Sequence, residues 1–287
     1  MIYDIIYSLP VHQDIKIVNN LLENINKFNK NNKFCIILHL NEKLYKIRDQ
    51  IYKKNVLIND IKYNKKRGTM DLLKCNLDNF EYLIKNNINF YNFMIITSSV
   101  RFVRQSPHFE KPNYICKLKE LDRDQDYNKI LKSNWYSDVL KNKHLIDIIK
   151  KNKIELIGGD MIIKQNEGRI YAKEHYQNIY NFIKKNEIIK NITHQTYFEE
   201  TLLPSLSSYF NNGKNMDNYC HVFWEFSGKK CARPPIWKGD NRIIYYQVPN
   251  VELIKDTLEN NDSIFIIKRI PDDINDPVYK YVDNLPT

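Results

Sequence analysis

Ile2-Tyr3-Asp4-Ile5-Ile6-Tyr7-Ser8-Leu9-Pro10, at the start of the chain, is dense in β-branched and aromatic residues and reads as a buried strand that Pro10 closes. The residues after Pro10 decide the fold. Ile17, Val18, Leu21, Leu22, Ile25 and Phe28 recur at helical spacing, and Phe34–Leu40 is a second compact apolar run. Val56–Ile58 is a shorter strand candidate. Leu73, Leu77, Phe80 and Ile84 then line one face of another helix, and Phe93–Thr97 reads as the next strand. Strand–helix–strand alternation at these lengths predicts an α/β chain with a mostly parallel sheet flanked by helices. The second half is less regular. Trp135–Ile149 and Tyr176–Ile189 read as helices, and Ile154–Ile163 is an apolar run broken by Gly158-Gly159. Short strands are expected at His221–Phe226, Ile243–Gln247 and Ile264–Arg269. No repeat and no Gly/Ser/Pro-rich linker divides the chain, so residues 1–287 are expected to form a single large domain.

With 43% hydrophobic residues, 287 residues are enough to bury a substantial core, which excludes a disordered chain. The formal charge of +10 fits a phosphorylated or polyanionic partner. Much of it lies in scattered pairs such as Lys53-Lys54, Lys65-Lys66 and Lys184-Lys185, which read as solvated faces, so a nucleic-acid groove is not the expected use. The five cysteines (Cys35, Cys75, Cys116, Cys220, Cys231) form no CxxC pair, and the seven histidines show no HExxH or HxH spacing. Neither a zinc site nor a disulfide framework is expected, and a reducing compartment is. No apolar run approaches a membrane span and no signal-like segment opens the chain, so a soluble, cytoplasmic protein is expected. No P-loop, GxGxxG, GxSxG or kinase signature is present.

The end of the chain carries the most informative chemistry. Ser263-Ile264-Phe265-Ile266-Ile267-Lys268-Arg269 places two cations at the end of a buried strand, ahead of the Asp-rich stretch Asp272-Asp273-Ile274-Asn275-Asp276. Lysine gives a compact charge and arginine a fork of donors, both suited to phosphate oxygens. This segment resembles the "FARKF" signature of the core-2/I-branching N-acetylglucosaminyltransferase and peptide-O-xylosyltransferase family of glycosyltransferases. Other short motifs occur in the same order along nearly the whole chain. Val11-His12 resembles the "VH" that ends the family's first strand. Phe34–Lys43 resembles "IHVDxK", with Asn41 in place of an aspartate. Arg67-Gly68-Thr69-Met70 is similar to "WGSFSLVQA", and Phe93–Val103 to "yfillSGqDyPl", with Arg101 at the aspartate. Ile157–Met161 resembles the "GSQW" strand, and His194–Leu202 the "PDEsffqTl" segment, with Thr196 where the family has its catalytic glutamate.

The resemblance implies a GT-A-like, Rossmann-type fold. Residues 1–105 would form the nucleotide-binding half, and 106–287 the acceptor- and diphosphate-binding half. It implies a UDP-sugar donor, GlcNAc or xylose, and a glycan or protein hydroxyl acceptor. Transfer would be inverting and metal-independent, with no resident cofactor. Val11, His12 and Asn41 would meet uridine; Arg242, Lys268 and Arg269 the diphosphate; Arg101, Trp224 and Trp237 the acceptor, with Tyr245-Tyr246 nearby. Such transfer needs charge stabilisation on the departing diphosphate and a base for the acceptor hydroxyl. A threonine is a poor base, so the role is expected to pass from Thr196 to Glu199 one turn later, with Glu200, Asp160 and Glu225 behind it. Thr196-x-x-Glu199 also reads as a helix capping box. Two other readings stay open. One is a metal-dependent transferase using the DxD pattern Asp122-Arg123-Asp124 with Mn or Mg, although that stretch also reads as a solvated loop. The other is a non-catalytic basic protein binding glycan or nucleic acid.

Overall fold

The opening apolar run becomes the central strand of a twisted sheet. A computed structural model describes residues 1–62, 71–109, 142–154, 168–191, 198–210, 220–222, 249–262, 264–268, 270–271 and 273–287. In the front half, β1 (Ile2–Val11) leads through α1 (Ile15–Lys27) to β2 (Phe34–Leu40). The short α2 (Glu42–Tyr45) precedes β3 (Val56–Ile58), and α3 (Asp71–Lys85) leads into β4 (Asn89–Ile95). Asp14 starts α1 by accepting from the Lys16 amide at 2.8 Å, and the expected stripe Ile17, Val18, Leu21, Leu22 and Ile25 is buried. Beyond these come β5 (Val100–Phe102), α4 (Lys143–Lys151), β6 (Arg169–Ala172), α5 (Lys173–Lys185) and α6 (Phe198–Phe210). The last described elements are β7 (Cys220–Val222), α7 (Val251–Glu259), β8 (Ile266–Lys268) and α8 (Pro277–Asp283).

The main sheet has the order β3-β2-β1-β4-β6; its first four strands run parallel and β6 is antiparallel to β4. This is a Rossmann-like α/β arrangement, as expected. Alternate residues of β1 serve opposite faces. Ile5, Tyr7, Leu9 and Val11 pack toward α1, whereas Ile6 packs with α3, α5 and α6 on the other side. A second sheet, β5-β8-β7, covers the α1 side, and α7 and α8 close its outer face through Ile254, Leu258, Val278 and Val282.

Several boundaries differ from expectation. β1 does not stop at Pro10 but runs through it to Val11. Ser8 O accepts from Ile96 N on the β4 side, and backbone polarity alternates along a strand, so the nitrogen of Pro10 also turns toward β4. The β1–β4 register ends at Ser8–Ile95, so the missing N–H breaks no ladder bond. β4 begins and ends earlier than the Phe93–Thr97 reading. The helix expected over Trp135–Ile149 starts at Lys143, where Asn142 Oδ1 accepts from Leu145 N at 2.9 Å and caps it; Trp135 itself lies outside the described residues. The strand expected at Ile243–Gln247 and the Gly158-Gly159 segment also lie outside them. β8 covers only the last part of the apolar run Ile264–Lys268. Cys35 and Cys75 are free buried thiols, and burial pushes the Cys35 thiol up to about 12.

Glu81 ties α3 to α5, bridging Lys184 Nζ at 2.7 Å and Lys85 Nζ at 2.8 Å. The hydrogen bonds from Lys184 and Lys85 hold its carboxyl near 2, below its ordinary 4.5. A depressed carboxyl stabilises the fold above its unfolded pKa, and that contribution disappears as pH falls from about 4.5 through about 2. Nearby Asp78 has the opposite sign, since burial raises its pKa and protonation relieves the cost. The comparison of wild type with Glu81→Gln therefore isolates the bridge. The gap in unfolding free energy is expected to be about 1 kcal/mol at pH 6, after solvent screening, and to close by pH 2 in urea titrations.

Candidate functional site

Strand order reverses at β1. From it the chain moves outward to β2 and β3, then returns to place β4 on the other flank. In open parallel sheets ligands bind beyond the carboxyl ends of the strands at such a switch point. Val11 is the last residue of β1, and exposed His12 follows it at this edge. Asn41 begins the chain leaving β2, and its backbone N–H donates to Val11 O at 3.3 Å. The fold thus brings together the three residues expected to meet uridine. Asn41 Oδ1 accepts from Leu44 N at 2.8 Å and caps α2, so its side chain keeps the amide donors and one oxygen lone pair for a ligand. A buried network fixes the strands beneath. Ser8 Oγ donates to Asn76 Oδ1 at 2.6 Å and accepts from Asn79 Nδ2 at 3.0 Å, while Asn79 Oδ1 accepts from Asn59 Nδ2 at 3.0 Å. His39 Nδ1 lies 3.2 Å from Cys75 O, and burial lowers the imidazole's pKa, favouring the neutral ring.

The C-terminal cation reaches the same end of the molecule. Lys268 pairs with Val100, just beyond β4, and on its other side with Val222. Ile266, two residues earlier and hence on the same strand face, belongs to the core cluster that holds Val11 and Ile96, so strand alternation puts Lys268 on the face turned toward the main sheet. Its side chain is 4% exposed, which holds the charge in surroundings where electrostatic attraction exceeds that in water. No family model matches the chain, and no curated protein matches it.

Arg101, expected at the acceptor, is 2% exposed. Its Nη1 donates to Val100 O at 2.7 Å, its Nη2 donates to Tyr279 Oη, and the guanidinium lies 4.5 Å from the Tyr279 ring centroid. An acceptor could meet it only if α8 moved aside. Glu199 and Glu200 fall in the first turn of α6. Thr196, Asp160, Glu225, Trp224, Trp237, Tyr245, Tyr246, Arg242, Arg269, Asp122 and Asp124 lie outside the described residues. Among the described residues no cluster of His, Cys, Asp and Glu could hold a metal ion, and no helix is long and apolar enough to cross a membrane.

Two groups at this edge escape sequence reasoning. Arg169, 2% exposed, opens β6 opposite Ile95, the last residue of β4, after Gly168 turns the chain at φ 78° and donates to Ile95 O at 2.7 Å. Burial raises the Tyr171 hydroxyl's pKa while the Arg169 guanidinium pulls it down. Ser98 is 1% exposed, and its Oγ has no hydrogen-bond partner among the described residues. A glycine directly before a cation and an apolar triplet was the available signal for Arg169; Ser98 falls on the serine of the motif that Phe93–Val103 resembles, but was given no role.

Proposed function

We propose that this chain is a GT-A-like glycosyltransferase that moves a sugar, GlcNAc or xylose, from UDP to a hydroxyl of a glycan or glycoprotein. The observation that carries the reading is the convergence at one sheet edge. Val11, His12 and Asn41 meet where strand order reverses, and the cation Lys268 is paired onto the segment leaving β4. In this reading the base end of UDP lies against Val11, His12 and Asn41. Arg242, Lys268 and Arg269 meet the diphosphate, and no metal or other cofactor takes part. The acceptor oxygen attacks the anomeric carbon as the bond to the UDP oxygen breaks, which inverts the configuration. Glu199, with Glu200 as its neighbour, takes the acceptor proton. Trp224 and Trp237 offer aromatic faces to the acceptor sugar. The free thiols of Cys35 and Cys75 agree with a cytoplasmic setting.

Calorimetric titration with UDP in EDTA tests this reading. Binding without metal, at micromolar to low-millimolar Kd, is the expected result. Binding restored only by manganese would transfer the diphosphate role to Asp122 and Asp124. Silence under both conditions, with steeply salt-dependent binding to a polyanion, would replace the enzyme with a basic binding protein.

A further inference from the structure

Arg101 engages both sides of the segment that carries the C-terminal cations. Its backbone pairs with Ile267 in β8, the residue before Lys268. Its side chain holds Tyr279 in α8, on the far side of residues 268–278, by a hydrogen bond and by stacking on the ring. The contact continues inward. Tyr279 Oη donates to Asn20 Oδ1 at 2.7 Å, and Asn20 Nδ2 donates to Asp283 Oδ2 at 2.8 Å. The guanidinium charge is therefore linked through a tyrosine and an asparagine on α1 to a carboxylate at the end of α8. Lys27 Nζ adds a bond to Asp283 O at 2.6 Å. Among the described residues no carboxylate touches Arg101 directly. Burying a cation with such indirect compensation costs stability, and an apolar residue would serve packing alone at less cost. The guanidinium fork joins the Ser98 and Val100 carbonyls to Tyr279 of α8, while the Arg101 main chain pairs with β8.

We propose that Arg101 is a positioning residue for the diphosphate site. By holding Ile267 on one side of the segment and Tyr279 on the other, it fixes Lys268 relative to the carboxyl edge of β1 and β4. This role rests on the UDP-sugar reading and replaces the acceptor contact expected of Arg101. It predicts that loosening the latch weakens recognition of the diphosphate and spares recognition of the base, because Val11, His12 and Asn41 belong to separate elements.

The test compares Tyr279→Phe, Arg101→Lys and Arg101→Met with wild type, reading UDP affinity by calorimetry and uridine affinity by ligand-observed NMR. Tyr279→Phe keeps the ring and loses the hydroxyl, so it remains informative if Arg101→Met does not fold. The expected result is a roughly tenfold loss of UDP affinity in Tyr279→Phe and Arg101→Met with uridine affinity unchanged. Arg101→Lys, which still offers a donor to Tyr279, should recover part of the loss. Equal weakening of UDP and uridine, or no weakening of either, would overturn the proposal. If wild type binds no UDP, the functional reading fails separately, and amide exchange then judges the latch. Faster exchange in Tyr279→Phe confined to Ile266–Lys268 would uphold it; unchanged exchange there, or equal acceleration in β1 and β2, would sink it.

Discussion

Phe80→Ala is expected to lower the unfolding free energy by about 3–5 kcal/mol, a large share of the 5–15 kcal/mol typical of a folded domain. Phe80 projects from α3 and is fully buried. Its ring meets Phe93 of β4 edge-on at 5.4 Å, Phe90 at 6.0 Å, and Tyr176 and Tyr180 of α5 at 4.9 and 5.6 Å. One side chain thus joins the parallel sheet to two covering helices. Truncation removes the transfer free energy of the ring and leaves a cavity between elements that cannot all collapse inward at once. Urea denaturation should show the midpoint falling with an unchanged slope. Phe80→Leu, which keeps most of the volume, should lose well under half as much. An effect below about 1 kcal/mol for the alanine variant would mean that this cluster is not the joint between sheet and helices.

The same region shows which parts of the fold were legible. The α3 stripe Leu73, Leu77 and Phe80 and the runs Ile2–Leu9 and Phe34–Leu40 repeat for long enough to show a period, and each became the expected element. β5 and β6 were not legible, because neither is an apolar run set off from its surroundings. β5 contains a charged residue, Arg101, which the sequence reading placed at the acceptor and which the fold buries. β6 passes straight into α5 without a turn residue, so Arg169–Ala172 reads as the approach to a helix. The antiparallel placement of β6 beside β4 is a tertiary fact that no local pattern encodes.

The candidate site was legible in a different way. No single residue of Val11-His12, Asn41 or Lys268 is informative alone; their order along the chain suggested a common edge. The register of β1 with β2 and of β5 with β8 supplies the proximity. Chemistry within that edge was less legible, because an ionisable residue can serve structure or ligand equally well. Arg101 holds α8, and Asn41 caps α2.

Lys268→Met is expected to lower UDP affinity by about 30-fold, roughly 2 kcal/mol, while leaving the fold intact. The register of β8 is set by main-chain pairing to β5 and β7, which the substitution does not touch. Methionine matches the length and flexibility of the lysine stem and carries no charge into a position that is 4% exposed. Removing a buried cation relieves its desolvation and gives up the bonds it makes, so the melting temperature is read beside the affinity. A diphosphate loses an attraction that is stronger in low-dielectric surroundings than in water, and the loss falls on the phosphate end alone. UDP affinity should therefore drop toward that of uridine. The salt dependence of UDP binding should also flatten, because one fewer protein charge opposes the phosphates. Unchanged UDP affinity together with a large fall in melting temperature would assign Lys268 to the structure of the small sheet and remove it from the donor site. The opposite pattern, a stable fold with weakened UDP and intact uridine binding, is what a cation placed for a diphosphate requires.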